Sequence, residues 1–222
     1  MIQSIDPAAC TGCGSCTKTC PLDVFRLETA QEQISPCMAA CPAGVDIRGN
    51  HYLIQQGNLD EAARNYLAVQ PFPAITGRVC FHPCESACAR ARVDSAVNIN
   101  AVEHVLGDWA AQMPLEKPVR RHISKVAVVG SGPAGLSCAW FLALMGYPVT
   151  VFEARPFPGG MLRYGIPAYR LPDDVVSTQV RRLEEIGVRF CCNTRVGKGA
   201  DVSLAELKRR GYKAIMLAPG TS

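Results

Sequence analysis

Cys10, Cys13, Cys16 and Cys20, with Pro21 behind them, spell C-x2-C-x2-C-x3-C-P. This is the spacing of the bacterial [4Fe–4S] run. Three thiolates on one tight loop can reach three corners of a single cubane, while the fourth, after a short turn, points towards a different cluster. Gly12 and Gly14 let backbone N–H groups approach the sulfides and offset their negative charge. Zinc ribbons instead separate two CxxC knuckles by a dozen or more residues. Five further cysteines follow as Cys37-x3-Cys41-Pro42 and Cys80-x3-Cys84-x3-Cys88, so nine of the 12 cysteines precede residue 89. A secreted disulfide scaffold would open on a basic and then apolar leader, a pattern the N-terminus lacks. In a reducing compartment such clustering reads as metal binding.

A second set of residues points to a dinucleotide. Lys125–Val129 is a short apolar run suited to a buried parallel strand, and it opens into Gly130-Ser131-Gly132-Pro133-Ala134-Gly135. A helical pattern and a second β-rich run, Pro148–Glu153, come next. In this strand, glycine loop, helix, strand order, Gly130 permits the tight turn and Gly132 lets the backbone approach a pyrophosphate at the helix N-terminus. Gly135 lets helix and strand pack closely. Glu153 ends the second strand, where a carboxylate accepts hydrogen bonds from a ribose diol and disfavours a 2′-phosphate. The expected ligand is FAD or NAD(H) rather than NADP(H). Pro133, Ala134 and Ala154 flank this site, and Gly159-Gly160, followed by Met161, allows close backbone approach to a ligand.

Several short elements must position these groups. Asn58 and Glu61 read as a capping box for a helix with Leu59, Ala62, Ala63, Tyr66 and Leu67 on one face, ended by Pro71 and Pro73. A helix from about Asn100 to Gln112 carries Val102, Val105, Leu106 and Trp109 as its apolar residues. The cysteines 37–88 fall around such short helices, with too little apolar sequence for a large core, so bound metal would supply much of the folding free energy. Met113–His122 reads as a linker, Asp173–Gly187 and Ser203–Arg210 as helices, Val188–Asn193 as a strand and Lys213–Ala218 as a second buried strand. Cys138, Cys191 and Cys192 lack ligand spacing and read as core residues. No triad or paired-carboxylate arrangement stands out, and His51, His82, His104 and His122 show no acid partner, so no catalytic side chain is assigned.

The net charge of +4 is scattered, which argues against nucleic acid. No apolar run reaches the ~18 residues of a membrane span. The expectation is a cytoplasmic protein without membrane insertion.

The stretches QPFPAITGRVC, CESAC and VNINAVEHVLGDWA resemble the iron–sulfur domain of the glutamate synthase small (beta) subunit and of dihydropyrimidine dehydrogenase. The resemblance continues through GSGPAGLSCAWFLALMGYPVTVFEA, PGGMLRYGIPAYRLP and LAPGTS, from Ser35 to the C-terminus. It implies two [4Fe–4S] clusters with interleaved ligands. Cys41, Cys80, Cys84 and Glu103 would hold one, Glu103 standing where the family has a Gln or Glu ligand. Asn100-x-x-Glu103 is equally the spacing of a capping box, which needs no metal. The family's other cluster uses C-x2-C-x4-C-x3-C-P plus the last cysteine of the second group. This chain keeps Cys37, Cys41 and Cys88 of that set but has Thr29 and Glu32 at the two earlier positions. The N-terminal run would then supply the missing sulfurs: Cys10, Cys13 and Cys16, closed by Cys20, Cys37 or Cys88. The resemblance also lays Gly165-Ile166-Pro167 and Arg170 along FAD; Arg170 is otherwise a surface arginine. In the family the LAPGTS turn leads into a nicotinamide-binding domain and a closing FAD segment. Neither follows here, so a fragment, or completion by other chains, is expected.

The predicted architecture is an α+β multidomain chain: a ferredoxin-like segment (1–34), a helical iron–sulfur domain (35–112), a linker (113–123) and the N-terminal part of a Rossmann-type FAD domain (124–222). The predicted function is an iron–sulfur flavoprotein oxidoreductase segment. It would pass electrons between NAD(P)H-linked FAD and the clusters to a redox partner or catalytic subunit, with NAD(P)H bound by a domain outside this chain. A relay subunit carrying clusters alone, or a zinc module beside an NAD-binding domain, are the alternatives.

Overall fold

Prolines start three of the short helices. In the computed structural model, which describes residues 34–220, Pro36, Pro73 and Pro83 stand in the first turns of α1 (Pro36–Ala39), α4 (Pro73–Val79) and α5 (Pro83–Ser86). There the missing N–H costs nothing and the fixed φ favours the helix. Asp46 caps α2 (Ile47–Gln55) by accepting from the Gly49 N–H at 2.9 Å, and Asn98 caps α6 (Ile99–Gln112) by accepting from that of Ala101 at 3.3 Å. α3 (Leu59–Val69) buries Ala62, Ala63, Tyr66 and Leu67, and Leu59 is half-buried.

Three sequence expectations for this half are corrected. Asn58 does not cap α3, because its amide donates to the Glu61 carboxylate at 2.6 Å instead of accepting from the backbone. Asn98, not Asn100, caps α6, which leaves Glu103 free for another role. Along α6 the buried residues are Ile99, Leu106, Gly107 and Ala110, whereas Val105 and Trp109 face solvent. Small residues, not large ones, make the inner face because α4 crosses there. A Cβ on Gly107 would lie 2.4 Å from the Pro73 carbonyl carbon, and one on Gly77 would lie 2.5 Å from His104 Cα.

The second half is a parallel sheet in the order β3-β2-β1-β4, built from β1 (Lys125–Val129), β2 (Val149–Phe152), β3 (Arg189–Cys191) and β4 (Tyr212–Leu217). Helices α7 (Pro133–Leu144), α8 (Met161–Tyr164), α9 (Asp173–Glu185) and α10 (Leu204–Arg209) connect the strands. Val126–Val129 and all of β2 are buried, as parallel strands covered on both faces must be. β4 departs from the expectation of a buried strand. It pairs with β1 on one side only, and Met216 and Leu217 are 38% and 55% exposed. Cys138 and Cys191 lie half-buried against apolar neighbours, in α7 and β3, and Cys192 falls just after β3.

One apolar core runs through both halves. Phe72, from the turn before α4, meets Trp140 of α7 edge-on, with ring centroids 6.4 Å apart. Residues 113–124 lack regular structure but are held: Arg121 and His122 N–H groups both donate to the Gly146 carbonyl at 3.2 Å, and His122 stacks on Tyr147. Arg182 of α9 is only 3% exposed and donates to the carbonyls of Ala111 and Met113, at 3.0 and 2.7 Å, where α6 ends. A cation there also complements the helix dipole.

Replacing Arg182 with Met strips these donors from two carbonyls while keeping an apolar stem. We expect a loss of about 1–3 kcal/mol in stability and faster tryptic cleavage between Lys117 and Arg121. Unchanged melting and cleavage would show that Phe72 and Trp140 hold the halves together without it.

Candidate cluster and dinucleotide sites

The α4–α6 crossing sets a carboxylate against a polar pair. Glu103, half-buried on α6, accepts through Oε1 from Gln70 Nε2 at 3.2 Å and from the Thr76 hydroxyl. Gln70 Nε2 also donates to Thr76 Oγ1, and Gln70 Oε1 accepts from the Phe72 N–H at 2.5 Å. Burial pushes the Glu103 carboxyl above its usual range, and the two donors act in the opposite direction. Tyr66 lies within electrostatic reach of Glu103, Cys41, Cys84 and Cys80. Burial raises its hydroxyl pKa first, and their negative charge adds to the shift. Burial likewise pushes the Cys84 thiol up to about 11, with Cys41 and Cys80 contributing.

Cys41 follows α1, Cys80 caps the end of α4 and Cys84 sits inside α5, so three short elements meet here, with α1 packed on α5. The His82 N–H donates to Cys80 Sγ at 3.2 Å; His82 adopts a left-handed backbone, φ 41°, to do so. Cys88 accepts from the Val97 N–H at 3.5 Å, and Cys37 shares a hydrogen bond with the Ser35 hydroxyl at 3.4 Å. Cys10, Cys13, Cys16 and Cys20 lie outside the described residues.

Among the described residues no three His, Cys, Asp or Glu side chains close on a single metal ion. Donors gripping one ion at about 2.0–2.3 Å must lie within about 4 Å of each other. A four-iron cubane is a larger body that holds its ligands farther apart. None of the eight described cysteines forms a disulfide. N–H···S bonds of the kind made to Cys80 and Cys88 also tune cluster potentials. Asn100 donates its backbone N–H to Glu85 Oε1 at 2.8 Å, while its buried Nδ2 has no partner in the protein, an orphan donor that an acceptor such as a cluster sulfide would satisfy.

Sequence reasoning missed Gln70, Tyr66 and Thr76. Their only signal is a polar pair beside an apolar turn and a tyrosine on a buried face. The histidines also need correction. His82 lies 3.7 Å from Glu85 and His104 3.5 Å from Asp108, both within one helical turn. Arg78 holds the same Asp108 in a two-pronged pair at 2.7 and 2.9 Å, so that carboxylate is already engaged structurally.

At the other end, Gly130 takes φ 99° between β1 and α7, and a Cβ there would meet the Ala218 carbonyl oxygen at 2.1 Å. A Cβ on Gly135 would fall 2.0 Å from the Gly130 carbonyl oxygen, so that glycine closes the helix onto the turn. A Cβ on Gly132 would meet nothing within 4 Å. Space is therefore open in front of the α7 N-terminus, where a pyrophosphate would take the free N–H groups. Pro133, Ala134, Ala154, Met161 and Arg170 are all exposed. Gly160 makes its close approach to the chain itself, with its Cβ position 2.7 Å from Gly132 Cα. Glu153 is buried just after β2. Its Oε2 accepts from the Ser131 N–H at 3.0 Å and from the Ser131 hydroxyl, and its Oε1 from the Arg155 N–H at 2.8 Å. Oε1 keeps acceptor capacity for a ribose hydroxyl.

Residues 29–115 match the family model for dihydropyrimidine dehydrogenase domain II, 4Fe-4S cluster. Residues 1–22 match a 4Fe-4S binding domain and residues 128–178 an NAD(P)-binding Rossmann-like domain. The chain thus carries an iron–sulfur domain of the dihydropyrimidine dehydrogenase domain II type, preceded by a 4Fe-4S-type stretch and followed by the start of a Rossmann-like domain. It is 41% identical over 206 residues to the NADPH-Fe(3+) oxidoreductase subunit beta of Geobacter sulfurreducens, covering 90% of this chain and 30% of the relative. It is 35% identical to the NADP(+)-dependent formate dehydrogenase subunit beta of Moorella thermoacetica, over 84% of this chain and 29% of the relative. It is also 36% identical to the NAD-dependent dihydropyrimidine dehydrogenase subunit PreT of Salmonella typhimurium, over 85% and 46%. The chain thus spans less than half the length of each of these relatives. Its architecture is a helical iron–sulfur module followed by a parallel-sheet Rossmann-like region.

For this domain II-type chain, the two glycines of the turn should separate structure from binding. Gly135→Ala drives a methyl into backbone and should cost several kcal/mol, on the order of the 1–3 kcal/mol or more seen for overpacked cores. Gly132→Ala, with φ −70° and open space, should melt like the parent but bind ADP-ribose-containing ligands at least about tenfold more weakly. Equal melting of the two variants would contradict this assignment.

Proposed function

We propose that this chain is the cluster-bearing and flavin-binding portion of an NAD(P)H-linked oxidoreductase subunit, passing electrons between FAD and [4Fe–4S] clusters and on to a partner subunit. The observation that carries the reading is the packing of α1 on α5 and of α4 across α6, with Cys41, Cys80 and Cys84 on or next to these short helices and Glu103 at the crossing, in one molecule with an open glycine turn. FAD and the clusters would supply the chemistry, converting a two-electron hydride into single-electron transfers.

The chain's own residues bind and orient. Cys41, Cys80, Cys84 and Glu103 would hold one cluster, and Cys10, Cys13 and Cys16 with one of Cys20, Cys37 or Cys88 the other. Gly132 and the α7 N-terminus would take the pyrophosphate, with Glu153 on the ribose. Pro133, Ala134, Ala154, Gly160, Met161 and Arg170 would line the flavin. Phe72–Trp140 and Arg182 keep the two modules at a fixed separation, which a relay over packed protein requires. No side chain need act as acid or base.

The relatives' names speak of beta subunits or of a subunit, which supports a partner chain for this one. No helix among the described residues is long and apolar enough to cross a membrane. Cytoplasmic residence is proposed from the free thiols and the cluster reading.

Flavin decides between this reading and a relay carrying clusters alone. The chain is purified without oxygen and denatured, and released flavin is measured by fluorescence and chromatography. About one FAD per chain is expected, together with weaker retention in Gly132→Ala. Clusters without flavin, and no uptake of added FAD, would leave the relay.

A further inference from the structure

We propose that Thr76 and Gln70 are positioning residues that present Glu103 to its cluster through a single oxygen, Oε2. The inference rests on the cluster reading above and extends it to side chains that carry no metal themselves.

Two features of the structure lead here. Both hydrogen bonds to the Glu103 carboxylate, from Gln70 Nε2 and Thr76 Oγ1, converge on Oε1, and none among the described residues reaches Oε2. With Oε1 occupied by two donors, a bidentate grip on iron is excluded and the lone pairs of Oε2 are what remain. The donors are themselves fixed. Gln70 Oε1 is tied to the Phe72 N–H, its Nε2 also reaches Thr76, and Thr76 rides on α4 one residue before Gly77, where that helix touches α6. Thr76 and Gln70 therefore hold Glu103 in the orientation of a ligand, as outer-shell partners do for metal-bound carboxylates.

Removing a donor concentrates negative charge on the ligating carboxylate. Reduction adds one more negative charge to the cluster, so the midpoint potential of that cluster should fall. Thr76→Val keeps shape and removes the hydroxyl, Thr76→Ser keeps the hydroxyl, and Gln70→Met removes the other donor from a different element.

The full chain and the three variants are purified anaerobically, assayed for iron and labile sulfide, titrated redox-potentiometrically and examined by electron paramagnetic resonance after reduction. Expected are a lowered midpoint and an altered line shape for one cluster in Thr76→Val and Gln70→Met, with parental values in Thr76→Ser. Parental midpoints and line shapes in both Thr76→Val and Gln70→Met would overturn the positioning role while leaving the cluster reading intact. A parent chain without iron and sulfide would overturn the cluster reading itself, and the positioning role with it.

Discussion

Backbone touches backbone where α4 crosses α6, and the helical module depends on that contact. Gly77 meets His104 and Gly107 meets Pro73 at separations no side chain would allow. The crossing sets Thr76 against Glu103 and leaves Cys80 at the end of α4, beside the α5 cysteine Cys84. A module of such short helices has little apolar area of its own. Its buried interior includes Ala62, Ala63, Tyr66, Leu106 and Ala110 together with the Cys84 thiol, and the Glu103 carboxyl is half-buried. Burying those ionisable groups costs free energy unless they are paired or coordinated. A bound cluster would turn that liability into cohesion.

The Rossmann half carries its own close contacts, at Gly130 and Gly135, which shape a turn with open space before α7. Glu153 would serve two purposes in the proposed function. Its carboxylate braces the turn through Ser131 and keeps capacity on Oε1 for a ribose. The halves are not beads on a linker. Phe72 on Trp140, and Arg182 on the last carbonyls of α6, make the distance between dinucleotide turn and cysteine-bearing helices a property of packing.

Much of this was legible in the sequence, for identifiable reasons. Glycines at fixed offsets and short apolar, β-rich runs each signal local geometry, so the strands and helices α3, α6, α7, α9 and α10 follow from local pattern. Cysteine spacing marked Cys41, Cys80 and Cys84 as candidates. What local pattern could not reveal is tertiary. Val105 and Trp109 look like a core face but lie outward, because α6 turns its small residues to α4. Asn100 has the spacing of a cap, yet its backbone goes to Glu85 across 15 residues of chain. Gln70 and Thr76 are polar residues in a turn until the fold sets them on Glu103 from 33 and 27 residues away. β4 has the composition of an interior strand but is an edge among the described residues.

The central claim is that thiolates and a carboxylate here enclose iron and sulfide. The measurement that tests it most directly is the iron and acid-labile sulfide content of the anaerobically purified chain, read beside its visible spectrum before and after dithionite. Two cubanes predict about eight of each per chain and a broad shoulder near ~400 nm that bleaches on reduction. A colourless protein holding zinc and no labile sulfide would contradict the account.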